Sequence, residues 1–162
     1  MADPKTVWDA LRAVKDYQSW WPWLDEFQTD TDTDTDTDTD TDTDTDTDTN
    51  TDTERTLAPG ATWRCAVRSP IQIRLRFTIT LDVVTDPGHI AATLAGDLVG
   101  PATLTITKLA AGGSEIRLTS RLAPRSTTLG LMMRIAPPLA KWAHDHLLDT
   151  AARQFEQAVA DH

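Results

Sequence analysis

One segment of the chain alternates apolar and polar residues without interruption from Ile71 to Val83. Its sequence, IQIRLRFTITLDV, sends alternate side chains to opposite faces of an extended strand. The apolar face comprises Ile71, Ile73, Leu75, Phe77, Ile79, Leu81 and Val83, and the polar face comprises Gln72, Arg74, Arg76, Thr78, Thr80 and Asp82. The pattern therefore predicts a long strand with one buried face.

Shorter alternating segments flank this strand. The preceding segment, ATWRCAVR, places Ala61, Trp63, Cys65 and Val67 on one face. The following segments, IAATLAGDL, ATLTITKL and EIRLTSRL, are separated by short stretches that contain Gly or Pro, which are typical of turns. Five consecutive strands joined by short turns predict an antiparallel meander, whose apolar face must be covered by another element.

The C-terminal segment from Pro137 predicts that cover. Its sequence, PPLAKWAHDHLLDTAARQFEQAVADH, contains no glycine, and a proline suits the first turn of a helix. At 100° per residue, one broad arc of the helix carries Leu139, Ala140, Ala143, Leu147, Leu148, Ala151, Phe155, Ala158 and Val159. Two shorter helices, DPKTVWDALRAV and DYQSWWPWL, are predicted before the sheet. The sequence therefore predicts an α+β fold with a long helix across a curved antiparallel sheet.

A Thr-Asp repeat from Thr29 to Thr53 interrupts this pattern. Neither of its faces is apolar and its like charges repel, so a disordered low-complexity loop is expected at 29–53 within one domain that spans 1–162. The repeat holds 11 of the 25 acidic residues, which leaves 14 acidic against 15 basic residues elsewhere. This nearly neutral remainder argues against nucleic-acid binding. The repeat also lacks the mixed oxygen ligands of a calcium loop, so no metal and no cofactor are expected.

Two further features bound the class of protein. No run of apolar residues reaches the length of a signal peptide or a membrane span, so a cytoplasmic protein without a transmembrane segment is expected. The single cysteine, Cys65, excludes an intrachain disulfide. Its place on an apolar strand face favours an inert core thiol over a nucleophile.

Three stretches carry a resemblance to a known family. VWDALRAVKDYQSWWPWLDEF, AGDLVGPATLTI and KWAHDHLLDTAARQFEQAV resemble the START-like (SRPBCC) superfamily, in particular its bacterial polyketide cyclase/dehydrase and lipid-transport group. The resemblance extends over nearly the whole chain outside the repeat, and none of its motifs is a catalytic signature. It implies the helix-grip fold, in which the sheet wraps around the C-terminal helix and leaves a cavity for a hydrophobic small molecule.

The chain departs from this family at its start. Members usually have a strand before the Val-Trp-Asp-x-Leu helix, whereas only six residues precede Val7 here. The first strand therefore looks missing. An unpaired strand edge exposes backbone groups, so a homodimer through an exposed sheet edge is a candidate assembly.

Residues on the inward faces of the predicted strands and helix are the candidate ligand-binding residues. They are Trp63, Cys65, Ile73, Leu75, Phe77, Leu118, Ser120, Ala143, His144, Leu147, Thr150, Ala151, Gln154 and Phe155. The first hypothesis is therefore binding or transport of an apolar small molecule such as a lipid or polyketide. The alternative is a cyclase or dehydratase that uses His144 in proton transfer, although His144 could equally be a core residue bonded to a strand carbonyl. A third hypothesis is an interaction module without a ligand.

Three other groups of residues leave alternatives open. The N-terminal tryptophans Trp8, Trp20, Trp21 and Trp23 could form an aromatic mouth or could attach the short helices to the sheet. LGLMMRIAPP, at 129–138, looks loop-like and could be a lid or core. Four arginines share the outer face of two adjacent strands, and some registers place Arg64 opposite Arg74. We expect the acidic repeat to lie loosely over this basic face.

Overall fold

The fold comes from a computed structural model that describes residues 2–30, 57–125 and 127–160. The helices are α1 (Pro4–Arg12), a 3-10 turn (Val14–Asp16), α2 (Tyr17–Trp20), α3 (Thr127–Ile135) and α4 (Pro137–Ala160). The strands are β1 (Leu24–Thr29), β2 (Thr62–Arg68), β3 (Arg74–Thr85), β4 (His89–Gly96), β5 (Leu98–Lys108), β6 (Ser114–Ser120) and β7 (Ala123–Pro124). The prediction of a disordered loop at 31–53 lies outside the described residues.

The predicted α+β architecture is confirmed. Strands β1 to β6 form a curved antiparallel sheet in sequence order, and the short β7 pairs with the start of β5. The sheet does not close, and β1 and β6 are its edges. The long C-terminal helix and the short N-terminal helices are also present. Among the described residues, no helix combines the length and apolarity needed to span a bilayer.

Strand β1 is an element that the sequence pattern did not predict. It pairs with β2 through positions such as Phe27 with Cys65 and Thr29 with Trp63. Thr29 is buried, and the Asp30 carboxylate accepts a hydrogen bond from the Thr62 amide at 2.9 Å. The expectation of disorder from residue 29 is therefore wrong at its N-terminal boundary, because pairing with β2 extends order into the first Thr-Asp unit.

The long predicted strand is shorter and less regular than its sequence suggests. Residues 69–73 form a turn, in which the Ser69 amide donates to the Ile73 carbonyl and Gln72 has a φ of 63°. The strand therefore begins at Arg74. A bulge between Leu81 and Val83 then shifts the pairing with β4, and the Val83 side chain is 46% exposed. The predicted inward position of Val83 is wrong because one extra residue reverses the face that the following side chains occupy.

The Gly-Asp-Leu-x-Gly segment closes the turn between β4 and β5. Gly96 and Gly100 have positive φ angles, and a Cβ atom at either would collide with a backbone carbonyl, that of Arg76 or of Arg121. Asp97 lies between them and exchanges hydrogen bonds with the backbone of Arg76, at 2.8 and 2.9 Å. The two glycines therefore allow this turn to pack closely against the backbone at Arg76 and the backbone at Arg121.

The helices follow from local signals, with one exception. The Asp3 carboxylate caps α1 by accepting from the Lys5 and Thr6 amides, and Val7, Trp8, Ala10 and Leu11 form its buried face. The exception is the loop-like LGLMM segment, which lies within helix α3. The prediction of a loop was wrong because the single Gly130 does not interrupt the helix, although glycine lowers helix propensity.

The buried core lies toward one end of the molecule, which we call the closed half. It contains α1, α2, the second half of α4 and the strand segments beneath them. Its buried members are Val7, Trp8, Ala10, Leu11, Val14, Tyr17, Leu24, Leu57, Trp63, Cys65, Val67, Leu81, Ile90, Ala92, Ile106, Phe155 and Val159. The remaining part, with α3, the first half of α4 and β6, is the open half.

The glycine at position 100 provides a test of the fold. Gly100→Ala should lower the free energy of unfolding by about 2 kcal/mol or more, because the new Cβ meets the Arg121 carbonyl at a strained φ. Gly130→Ala is the control, since nothing lies within 4 Å of its added Cβ and alanine favours a helix. Urea unfolding followed by circular dichroism measures both. Equal stabilities of the two variants would contradict the turn geometry described here.

Candidate ligand-binding site

An aromatic cluster fills the closed half between the sheet and α4. The cluster comprises Tyr17, Trp20, Trp21, Trp23, Phe27, Trp63 and Phe155. Ring centroids lie 4.9 Å apart for Tyr17 and Trp21, 6.1 Å apart for Tyr17 and Trp63, and 6.2 Å apart for Trp21 and Phe155. These tryptophans therefore attach the short helices to the sheet and to α4. This is the second of the two roles considered above, and not the aromatic mouth.

Hydrogen bonds hold the polar ends of this cluster. The Trp21 indole N–H donates to the Ala151 carbonyl at 3.2 Å, and the Trp23 indole N–H donates to Gln154 Oε1 at 3.0 Å. The Tyr17 hydroxyl donates to the Leu11 carbonyl at 2.6 Å, and burial raises the pKa of Tyr17. Ala151 and Gln154, predicted as ligand-binding residues, thus bind the N-terminal segment of the protein itself.

The predicted ligand-binding residues fall into three groups by exposure. Trp63, Cys65, Ala143 and Phe155 are buried; Ile73, Leu75, Phe77, Leu147, Thr150, Ala151 and Gln154 are half-buried; Leu118, Ser120 and His144 are exposed. The buried and half-buried residues that belong to the core cluster, such as Trp63, Phe77 and Leu147, pack against other side chains. These fourteen residues therefore range from the packed core to the solvent-exposed surface.

His144 is not directed into the interior. Its side chain is 58% exposed, and its Nδ1 lies 3.4 Å from Oδ1 of the exposed Asp145. The prediction of an inward His144 is wrong because the arc buried on this part of α4 is narrow, with Ala143 and Leu147 at its centre. His146 also lies outside and stacks on Trp142 at 5.4 Å. In the described ranges, no group of three or more His, Cys, Asp or Glu side chains could hold a metal ion.

Cys65 has the environment of an inert thiol. Its side chain is buried between β1 and β3 on the inner face of β2, and burial raises its thiol pKa from 9.0 to about 12. A thiolate is the reactive species, so this shift suppresses nucleophilic chemistry at neutral pH.

The open half exposes apolar side chains. Apart from Val83, the large apolar residues with the greatest exposure in the described part of the chain are Ile116, Leu118, Leu131, Met133, Ile135, Leu139, Trp142 and Leu148. They belong to β6, α3 and the first half of α4. The exposed residues of α3 and α4 lie on two helices that contact each other, whereas Ile116 and Leu118 lie on an edge strand. A contiguous apolar surface marks a binding surface more often than scattered exposed residues do.

A cavity of about 520 Å³ lies beside α3 in this open half. Its lining comprises Pro124, Arg125, Thr127, Gly130, Leu131, Met133 and Arg134. None of these residues was among the fourteen predicted. The available signal was the apolar LGLMMRI segment, a candidate lid or core element, together with the arginines in and near it.

The two arginines of this cavity differ from Arg68 and Arg74 on the outer sheet face. Within the described residues, neither Arg125 nor Arg134 has a carboxylate at salt-bridge distance, whereas other arginines do. A guanidinium at the edge of an apolar cavity can donate two parallel hydrogen bonds to a carboxylate or phosphate.

Two of the four arginines of the outer sheet face, Arg68 and Arg74, have partners from β1. The observed register places Arg68 opposite Arg74, and not Arg64 opposite Arg74. The Asp25 carboxylate, only 16% exposed, lies 3.0 Å from Arg68 Nη2 and 3.6 Å from Arg74 Nε, and Glu26 also pairs with Arg74. The expected contact of this face with the acidic repeat concerns residues outside the described ranges, but Asp25 and Glu26 already neutralise the like-charge pair.

Comparison with known proteins identifies the fold but not a family. No protein-family model and no curated protein matches the sequence. The structure is similar to TTHA0849 from Thermus thermophilus, with a TM-score of 0.68 and 10% identity over 99% of this chain and 91% of that protein. It is also similar to SA2116 from Staphylococcus aureus, a protein of unknown function, with a TM-score of 0.56 and 11% identity over 98% and 90% of the two chains.

A third similar structure is NE0264 from Nitrosomonas europaea. Its TM-score is 0.53 and its identity is 15%, over 99% of this chain and 88% of that protein. At identities this low, the likeness shows a shared fold of a curved sheet with a C-terminal helix, and function must be argued from the site.

The buried thiol generates a test of the core. Cys65 in the folded protein should react with Ellman's reagent at pH 8 at least about a hundredfold more slowly than in the urea-unfolded protein, because its thiolate fraction is much lower. Cys65→Ser should show no reaction in either state. A native thiol that reacts as fast as the unfolded one would show that Cys65 is accessible and that the core is incorrectly described.

The same thiol contributes to the pH dependence of stability. The folded-state pKa of about 12 exceeds the ordinary value of 9.0, so the unfolded chain releases this proton first as the pH rises. The contribution is fully present below pH 9 and is lost between pH 9 and 12. Between pH 8 and 11 the unfolding free energy should therefore fall more steeply for the native sequence than for Cys65→Ala, as measured by urea unfolding. Parallel curves would contradict the shift.

Proposed function

We propose that this protein binds an apolar small molecule with an anionic group in the cavity beside α3. One observation carries the proposal: the apolar residues Leu131 and Met133 and the cationic residues Arg125 and Arg134 line the same cavity. Its volume is about 520 Å³, and it is open to solvent, so a ligand bound there stays partly exposed. The combination suits a lipid or related hydrophobic metabolite that ends in a carboxylate or a phosphate.

The apolar and the cationic residues of the lining contribute differently to binding. Removal of the apolar part of a ligand from water contributes about 25 cal/mol for each Å² of buried apolar surface. Met133 has an unbranched thioether side chain, which adapts to ligands of different shape. The arginines supply orientation, because a charge-assisted bidentate contact requires the anionic group to lie at one end of the cavity.

The resemblance to the START-like superfamily supports binding of a hydrophobic small molecule, but not its position beside α3. Three observations agree with it: the curved sheet, the long C-terminal helix and the Gly-Asp-Leu-x-Gly turn. We propose membership of that superfamily, within its lipid-transport group, and a carrier or sensor role in the cytoplasm. The ligand position proposed here differs from the cavity that the resemblance implies, since the aromatic cluster occupies the space between the sheet and the second half of α4.

The alternative of a cyclase or dehydratase receives no support from the site geometry. His144 would need a closed pocket and a second polar group near the substrate. Its side chain is instead exposed, and its carboxylate neighbour Asp145 is exposed as well. The proposal is therefore binding without catalysis.

We also propose that a second copy of the chain is a partner through an exposed sheet edge. The two available edges are β1 and β6. On β1, Asp25 and Glu26 are already engaged by the arginines of β2 and β3. β6 carries the more exposed apolar residues, Ile116 and Leu118. A free edge with apolar side chains favours addition of another strand.

The ligand proposal is tested with a fluorescent fatty acid, cis-parinaric acid. The native protein should bind the acid at least about tenfold more tightly than its methyl ester, and Arg134→Ala or Arg125→Ala should remove this preference. Arg153→Ala is the matched control, because Arg153 is exposed on α4 away from the cavity lining. Titration of fluorescence at fixed ionic strength gives the dissociation constants.

Each outcome of this titration has a distinct meaning. Tight binding of the acid and the ester alike, unchanged in both cavity variants, would place the ligand elsewhere and overturn the proposed site. Absence of binding by the native protein, together with no co-purifying small molecule in native mass spectrometry, would favour the interaction module. Selective loss of acid binding in the cavity variants supports the proposal.

A further inference from the structure

The free edge of β6 has a backbone geometry that two hydrogen bonds define. The Leu109 amide donates to the Gly113 carbonyl and the Arg121 amide donates to the Pro101 carbonyl, both at 3.0 Å. Both pairs continue the register that places Lys108 opposite Ser114. Hydrogen-bonded pairs alternate with non-bonded pairs in an antiparallel ladder, so the odd-numbered residues of β6 bond to β5. The even-numbered residues therefore direct their N–H and C=O groups toward the free edge.

The side chains of β6 divide in the same way. Ile116 and Leu118 lie on the core side of the sheet, opposite Ile106 and Leu104, and are 37% and 53% exposed. Glu115 and Arg117 lie on the other side, where Arg117 Nη2 is 3.1 Å from Glu115 Oε1. In the part of the chain that the structure describes, no strand pairs with this edge. The edge thus offers unpaired backbone groups, one apolar face and one charged face.

We propose that β6 pairs antiparallel with β6 of a second copy, with Ile116 opposite the partner's Ile116. In this register Ser114 lies opposite the partner's Leu118, and Leu118 lies opposite the partner's Ser114. The backbone groups of all these residues point to the interface. The pairing forms up to about six backbone hydrogen bonds, two for each such pair. The sheets of two molecules then become continuous across the two-fold axis, as in other cases of strand addition.

Charge favours this register over the two nearest alternatives. Glu115 faces the partner's Arg117, and by symmetry Arg117 faces the partner's Glu115, in non-hydrogen-bonded pairs whose side chains are closest. A shift that centres Arg117 places it opposite the partner's Arg117. A shift that centres Glu115 places it opposite the partner's Glu115. Both shifts create a like-charge pair, which is destabilising, and shifts that change parity place apolar side chains against the charged face.

The inference rests on the proposal that a second copy is the partner, and it adds the edge, the register and the ion pairs. It is independent of the ligand proposal, because none of the β6 residues lines the cavity beside α3. Fluorescence titration tests ligand binding beside α3, and measurement of the oligomeric state tests pairing through the β6 edge. Failure of one proposal is therefore distinguishable from failure of the other.

Charge reversal tests the register in the full chain. The native protein should be a dimer in sedimentation velocity, and Glu115→Arg or Arg117→Glu should each raise the dimer dissociation constant by about tenfold or more. The two single variants should form a heterodimer when mixed, since every facing pair then has opposite signs. The double variant E115R/R117E should dimerise about as well as the native sequence. Glu156→Arg, at an exposed position of α4, is the matched control and should leave the dimer intact.

A backbone variant provides an independent measurement. Ile116→Pro removes an N–H that points to the free edge and leaves the β5 to β6 hydrogen bonds in place, so the variant should be monomeric with a native circular dichroism spectrum. If it fails to fold, the charge reversals still decide, because Glu115 and Arg117 are exposed side chains. A native protein that stays monomeric at all accessible concentrations overturns both the homodimer and this register. A dimer that survives both charge reversals overturns the register but retains the homodimer.

Discussion

The structure depends on the contact between the N-terminal aromatic residues and the second half of α4. The indoles of Trp21 and Trp23 donate to Ala151 and Gln154, while the Trp21 and Phe155 rings stack. Aromatic pairs contribute about 0.5–1.5 kcal/mol each beyond the area they bury, and the two indole N–H groups avoid the cost of a buried unpaired donor. These contacts attach α4 strongly at one end, and that attachment defines the closed half.

The open half follows from the same attachment. The first half of α4 and all of α3 lie outside the aromatic cluster. They carry the exposed apolar residues Leu131, Met133, Ile135, Leu139, Trp142 and Leu148. Two distinct parts of this half carry the two binding proposals, because exposed apolar surface is more stable when it is covered. The cavity with Arg125 and Arg134 suits an amphipathic anion, and the edge of β6 suits an identical strand. Because the surfaces are separate, ligand and assembly can be studied independently.

Much of the architecture could be predicted from local patterns, and the candidate site could not. Alternation predicted the strand around Phe77, and helical periodicity predicted the helix around Leu147. The prediction failed for His144, because a helical wheel gives the apolar arc but not which part of that arc another element covers. It also missed strand β1, whose residues Asp25 and Glu26 carry no alternation signal but pair with arginines brought near by the sheet register.

The sequence by itself determined the main strands, the long C-terminal helix and the inert character of Cys65, because these depend on periodicity and composition within short segments. Only the tertiary structure decided which arginines lack carboxylate partners, where the sheet ends and how far α4 is covered. These properties depend on residues distant in sequence, such as Trp21 with Ala151 or Asp25 with Arg68. A local pattern specifies which face of an element is apolar, but the partner that covers this face is chosen by the packing of the whole chain.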